Sequence, residues 1–311
     1  MTGSTRSAST RLNAATTASR AVVAARGLAE LLFLVPIVLV VLVVVLLPTT
    51  TVIVHSFTNW NPGYDSPFVG LQNYIRLAAS PIFHQILINQ AFLLLGIPIW
   101  ALLPLLIAVM LHERVPYPGV FRTIFFFPAT VSPAIIGILF GFLLSPTGPL
   151  DATLRAVGLG GLARNWLVDA TLVRPVLIFV LVWWTVGTGI VIFSAGLSTV
   201  PPELFESAAI DGASWWQRLW HIVLPELRHV MELWVVLLVI TIFSGLFPWI
   251  FTLTRGGPGY FSTTIDFDIY QNALSFGNFG AAAAETVILL VLVTTVTVTG
   301  SLFFRRARQE R

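Results

Sequence analysis

The chain has 311 residues, 56% of them hydrophobic and only 10% charged, and its mean hydropathy is +0.88. Soluble domains carry roughly 25% charged residues, so this composition belongs to a polytopic membrane protein. All 17 basic residues are arginine; without lysine there is no Walker A loop, no Schiff base and no Ser–Lys catalysis, and without cysteine no disulfide or thiolate metal site.

Residues 1–27 are rich in Ser, Thr, Ala and Arg without an apolar core and read as a disordered cytoplasmic N-terminal tail. Six apolar runs follow, at about 28–56, 86–111, 120–144, 173–197, 228–253 and 281–304. Each is long enough to cross a hydrocarbon core about 30 Å thick as a helix, and backbone groups in lipid must be satisfied internally. The predicted fold is therefore all-α, a transmembrane bundle of six spans over 28–304, with a short C-terminal tail at 305–311. The first run is too long for a signal-peptide core and is read as a retained span. Pro36, Pro48, Pro98, Pro104, Pro128 and Pro133 sit in or near spans and predict kinks.

Arginine placement orients the bundle. With both termini inside, Arg6, Arg11, Arg20, Arg26, Arg114, Arg122, Arg218, Arg228, Arg305, Arg306, Arg308 and Arg311 are cytoplasmic. Arg76, Arg155, Arg164, Arg174 and Arg255 are then external, five against twelve, as the positive-inside rule requires. The net charge of +3 is assigned to this topology and not to nucleic acid. Trp60, Tyr64, Phe68, Tyr74, Trp166, Tyr260 and Phe261 fall in external segments, where aromatic rings suit the headgroup level.

The polar segment between the fourth and fifth runs carries the most information. Pro201 and Pro202 end the fourth span, and Pro202 suits the first turn of a new helix. Glu203 and Glu206 fall in its early turns, where negative charge complements the helix dipole. The short helix is predicted over 202–210, with Gly212 permitting the turn that ends it. A second amphipathic stretch, 214–223, leads to Pro225 and the fifth span.

In ESAAIDGASWWQRLWHIVLPEL, the residues Glu206, Ala208, Asp211, Gly212, Ile222, Leu224 and Pro225 stand at the spacing of a known motif. The segment resembles the EAA loop of the membrane subunits of binding-protein-dependent ATP-binding-cassette importers. Ser207 stands where alanine is usual, and Leu219 where many relatives have phenylalanine. FVGLQNY at 68–74, FRTIFFFPATVSP at 121–133, AGLSTVPPELFESAAIDGA at 195–213, TRGGPG at 254–259, IYQNAL at 269–274 and FGAAAA at 279–284 extend the likeness to the carbohydrate-type permeases.

That resemblance implies a type I importer permease fold and a noncatalytic subunit of a bacterial cytoplasmic (inner) membrane. It implies a coupling loop over 198–227, with Glu203, Leu204, Phe205, Glu206, Ala208, Ala209, Asp211 and Gly212 meeting a separate ATPase. The expected partners are a second homologous permease, two ATPase copies, an external solute-binding (lipo)protein and membrane lipid. ATP and Mg²⁺ belong to the ATPase subunits, and this chain is expected to hold no cofactor and no metal. The expected solute is a carbohydrate or a related polyol or glycerophosphate.

Sugar sites combine aromatic faces with hydroxyl and amide groups. The candidates for a substrate path are Trp183, Trp184, Thr185, Thr188, Gln271 and Asn272, with Asn89 and Gln90 in the second span. Glu232 and Glu285 lie near span ends, and no run of ionisable residues crosses the core. The alternative of an ion-coupled secondary carrier would need coupling groups inside the chain and often an internal inverted repeat, which is not detected. No catalytic constellation is present: there is no Gly-x-Ser-x-Gly, no His-Glu-x-x-His and no paired intramembrane aspartate.

Overall fold

The computed structural model describes residues 34–113 and 115–309; the predicted N-terminal tail at 1–27 lies outside them. Among the described residues the chain is helical, with one isolated antiparallel bridge between Thr58 and Phe68 and no strand. Among the described residues four helices are long and apolar enough to cross a membrane, or up to six if each of two bent pairs is one span.

The chain divides into two units, one ending at Val54 and the other starting at His55. Helix α1 (Leu34–His55), which lies in the first unit up to Val54, is strongly apolar and has no buried residue, the pattern of a span in lipid. The hydroxyls of Thr49, Thr50 and Thr51 donate back to carbonyls of the preceding turn at 2.7–2.9 Å. That bonding lets three polar residues ride on an apolar helix.

The second unit contains the remaining helices. An amphipathic helix α2 (Gln72–Ala79) precedes α3 (Pro81–Leu95) and α4 (Ile97–Glu113), which together make one 33-residue span. Ser80 caps α3 by accepting from the Phe83 N–H at 3.3 Å. Next come α5 (Pro118–Thr130), α6 (Pro133–Leu143), α7 (Pro149–Ala156) and α8 (Val173–Leu197). Ahead of α8, the hydroxyl and the backbone N–H of Thr171 donate to Asp169 at 2.6 and 2.8 Å, holding its carboxyl below the usual range. The chain continues through α9 (Pro202–Ile210), α10 (Trp215–Glu226), α11 (Arg228–Ser244), α12 (Ile265–Tyr270) and α13 (Phe279–Gln309).

Three predicted boundaries need correction. The third span is not one helix but α5 and α6, bent by 92° at Val131–Ser132. Proline at 133 disfavours the helical conformation in the residue before it, and Ser132 is indeed extended at φ −54°, ψ 135°. The fifth span starts at Arg228 as predicted, after a 75° bend that separates it from α10, but its long helix stops at Ser244 instead of running to 253. A short turn, Phe247–Trp249, and a π turn, Ile250–Thr254, take the chain on. At the other end, α13 stays helical to Gln309, through most of the predicted tail.

Lipid tails are as apolar as leucine, so spans associate through close packing and interhelical hydrogen bonds. Both are visible around Trp100, which is 1% exposed. Its indole N–H donates to the Thr185 hydroxyl, which in turn donates to the Leu181 carbonyl at 2.8 Å. The Trp234 indole then donates to the Trp100 carbonyl at 3.2 Å. One aromatic residue thereby ties α4, α8 and α11 together. A Cβ at Gly187 would overlap the Phe125 carbonyl, so α5 lies directly on α8. Gly137 is likewise covered by Thr252, which makes the GILFG stretch a packing face within this chain.

Candidate functional site

Helix α9 is built as its sequence demands. Pro202 occupies the first turn and Glu203 follows it. At the other end the Gly212 N–H donates to the Ala209 carbonyl at 3.2 Å, and the Ala213 N–H to the Ala208 carbonyl at 2.9 Å. These are the paired bonds of a Schellman motif, which needs a left-handed residue at its centre. Gly212 supplies it at φ +70°. Two residues later a capping box opens α10: the Ser214 N–H donates to Gln217 Oε1 at 2.7 Å, and the Gln217 N–H to Ser214 Oγ at 3.4 Å.

The two faces of α9 differ. Phe205 and Ala208, three residues apart, turn inward; Ala208 is buried and the Phe205 ring lies 5.9 Å from that of His112. Glu203, Leu204, Glu206, Ala209, Asp211 and Gly212 are exposed, as is Ile210 at 87%. Phe205 is thus committed to its own chain, while Leu204 and Ile210 are the apolar groups on offer. The loop is anchored by an ion pair that sequence reading missed: Arg218 Nη2 meets Glu113 Oε2 at 2.9 Å, with both side chains largely covered. Its one signal in the sequence is an acid at the end of a span and an arginine in the loop, 105 residues apart.

The predicted path residues do not form one cluster. Asn89 is buried, and its amide N–H groups donate to the carbonyls of Tyr260 and Thr263 at 2.7 and 2.8 Å. Gln90 donates to the Ile242 carbonyl. The Trp184 indole donates to the Val131 carbonyl at 3.3 Å, and its ring meets Trp249 edge-on at 5.2 Å. Thr185 belongs to the Trp100 network already described. Those four side chains are bound to partners within the chain's own fold. Trp183 keeps 36% of its surface, with one edge against Phe140, and Thr188 and Gln271 are half-buried.

Asn272 belongs to a different place. Its amide donates to Asp268 Oδ2 at 3.2 Å and to Glu285 Oε1 at 2.8 Å. These groups floor a cavity of about 470 Å³ walled by α2, α12, α13 and the segment around Trp60. Sequence reading placed Glu285 near a span end and did not pair it with Asp268. The two are 17 residues apart across a turn, and only the fold brings them together.

A family model described as "Binding-protein-dependent transport system inner membrane component" matches residues 77–309. The probable ABC transporter permease protein YurN of Bacillus subtilis is 31% identical over 284 residues, covering 90% of this chain and 97% of its own length. The arabinooligosaccharides transport system permease protein AraP of the same organism is 32% identical over 279 residues, 87% of this chain and 86% of AraP. In three dimensions the chain is similar to one from the crystal structure of a bacterial ABC transporter involved in the import of the acidic polysaccharide alginate. That likeness has a TM-score of 0.79 at 24% identity, over 90% of this chain and 96% of the other. The exposed loop helix, the bent spans and these likenesses agree: the chain belongs to the family of binding-protein-dependent inner-membrane permease subunits of ABC transporters.

Proposed function

We propose that this chain forms half of the translocation pathway of an ATP-driven importer for a carbohydrate or a related polyol or glycerophosphate, coupled to a separate ATPase through α9. The observation that carries the coupling is α9 itself. It is a closed helix of nine residues with an apolar side chain, Ile210, 87% exposed at its tip and carboxylates on the same outward surface. An exposed apolar tip beside fixed charges suits a socket on another protein. The Arg218–Glu113 pair and the Phe205–His112 contact join α9 and α10 to the end of α4. A push on the loop therefore reaches a span directly.

In this reading, ATP binding closes the ATPase pair, α9 moves with it, and the bent spans exchange inward-open for outward-open states. The ATPases stabilise one of two states by differential affinity, which is all that coupling requires. The proposed solute class is supported by relatives that include AraP and an sn-glycerol-3-phosphate transport system permease protein, UgpA, of Pectobacterium atrosepticum, 30% identical over 264 residues. The remaining partners are a homologous permease and an external solute-binding protein; a structure similar to this fold was determined as an alginate ABC transporter in complex with an alginate pentasaccharide-bound periplasmic protein.

Gentle solubilisation of the tagged chain, with identification of what copurifies, tests the reading. An ATPase carrying a Walker A lysine together with a second permease is the expected result. A chain that purifies alone and, reconstituted alone, moves solute down an ion gradient would overturn it in favour of a secondary carrier.

A further inference from the structure

The 470 Å³ cavity beside the start of α13 has a closed floor and an open rim. On the floor, Asn272 has already spent its amide N–H groups on Asp268 and Glu285. The rim differs. Asn59, Asn61 and Asn278 line the cavity with exposed side chains, and it is their backbones that tie them to the fold. The Asn59 N–H donates to the Pro67 carbonyl at 2.9 Å, the Asn61 carbonyl accepts from the Tyr64 N–H at 3.1 Å, and the Asn278 N–H donates to the Asn272 carbonyl at 2.7 Å. Three amide side chains are thereby held in place and left unspent.

The wall that carries Asn59 and Asn61 is firmly seated. Buried Asn73 donates to the Ser56 and Thr58 carbonyls, both at 2.9 Å. A Cβ on Gly280 would overlap the Thr58 carbonyl, so this wall lies directly on α13. Trp60 stacks on His55 at 4.4 Å and meets Phe279 edge-on at 5.5 Å. Groups fixed in advance lower the ordering cost of binding.

We propose that this cavity is an external station that binds one unit of a neutral carbohydrate before it enters the pathway. Each amide offers both donors and an acceptor, and so does each sugar hydroxyl, so neighbouring hydroxyls are matched without any net charge. Phe276 and Tyr260 keep 60% and 37% of their surface at the same cavity, apolar faces for the C–H side of a sugar ring. The volume falls within the ~300–1,000 Å³ of small-ligand clefts. The station is separate from Trp183 and Thr188, the path candidates on α8, which do not line the cavity.

This inference rests on the proposed import of a carbohydrate and on the coupling loop's being cytoplasmic. Ile82 and Phe83 at the start of α3 line the cavity, whereas Glu113 at the end of α4 holds the loop. Cavity and loop are therefore at opposite ends of one span, and a cytoplasmic loop places the cavity outside.

The chain has no cysteine, so a single S275C, beside Phe276, can carry a fluorophore at the rim. The full chain is used as purified, with whatever subunits accompany it, in phospholipid nanodiscs free of sugar-headed detergent; wild type taken through the same labelling is the blank. Maltotriose, arabinotriose and lactose are the neutral probes, and glycerol 3-phosphate is the anionic one. The expected result is a saturable signal with at least one neutral sugar. N61A and N278A, at exposed positions, should keep the wild-type melting temperature and each weaken that sugar about fivefold, as loss of one hydrogen bond implies. In ATP-driven uptake the double variant should raise KM and leave kcat unchanged. No saturable signal with any neutral sugar, or unchanged affinity in the double variant, would overturn the proposal. So would preference for glycerol 3-phosphate, lost in R76A, which would make the cavity an anion site. Binding is read without transport, so the station and the import reading can fail separately.

Discussion

Replacing Arg218 by methionine isolates the anchor of the loop. The change keeps most of the aliphatic stem but leaves Glu113 as a lone charge whose side chain is only 11% exposed, and whose Oε1 already has no hydrogen-bond partner. Leaving a buried charge uncompensated costs about 3–5 kcal/mol, and partial exposure at both partners lowers this to about 1–3 kcal/mol. Replacing Glu113 by glutamine strands Arg218 in the same way. The pair E113Q/R218M removes both charges and should recover most of the loss. A double-mutant cycle read by thermal unfolding of the purified protein should give a coupling energy of about 1–2 kcal/mol. Solute uptake per ATP hydrolysed, measured in vesicles, should fall in each single variant and recover in the double. Strict additivity, with coupling below about 0.5 kcal/mol, would refute the claim that the two residues act as one joint.

The other predictions concern packing, the turn and the path. Gly212→Pro removes an N–H donor and forces φ near −65° where the turn needs +70°; with Glu206→Arg it should abolish uptake while both variants reach the membrane, and normal uptake would remove the coupling claim. Gly187→Ala sets a methyl group against the Phe125 carbonyl, so it should destabilise by about 1–3 kcal/mol and lower the yield of folded protein; an unchanged melting temperature would count against the α5–α8 contact. Trp183→Ala should change the apparent affinity for solute without changing membrane yield if that ring lines the path, and unchanged kinetics would return it to packing.

How far the sequence reached depends on the distance over which each feature is encoded. Helix α9 was predicted over 202–210, as observed, because Pro202 and Gly212 mark its ends within a few residues. The fourth span, predicted at 173–197, also matches α8, since hydropathy and its flanking residues are local signals. The 92° bend at Val131–Ser132 was read only as a kink. Pro133 reveals that the helix is interrupted, but the direction of exit is set by α8 and by the 250–254 turn packed on it. Asn89, Gln90 and Trp184 looked free to meet a solute because their partners are backbone carbonyls far along the chain, and carbonyls leave no mark on sequence. The Asp268–Glu285 pair was hidden for the same reason: neither residue's neighbours hint at the other.

The Schellman closure after α9 has one more consequence. Because Gly212 and Ala213 close the helix with its own carbonyls, its nine residues are already ordered before anything touches them. Ordering a residue's backbone costs about 1–2 kcal/mol, so a floppy loop of that length would lose much of its contact energy to ordering. On the proposed coupling, a docking partner would meet a rigid peg, and its association should carry little of the entropy loss or heat-capacity change that marks folding on binding.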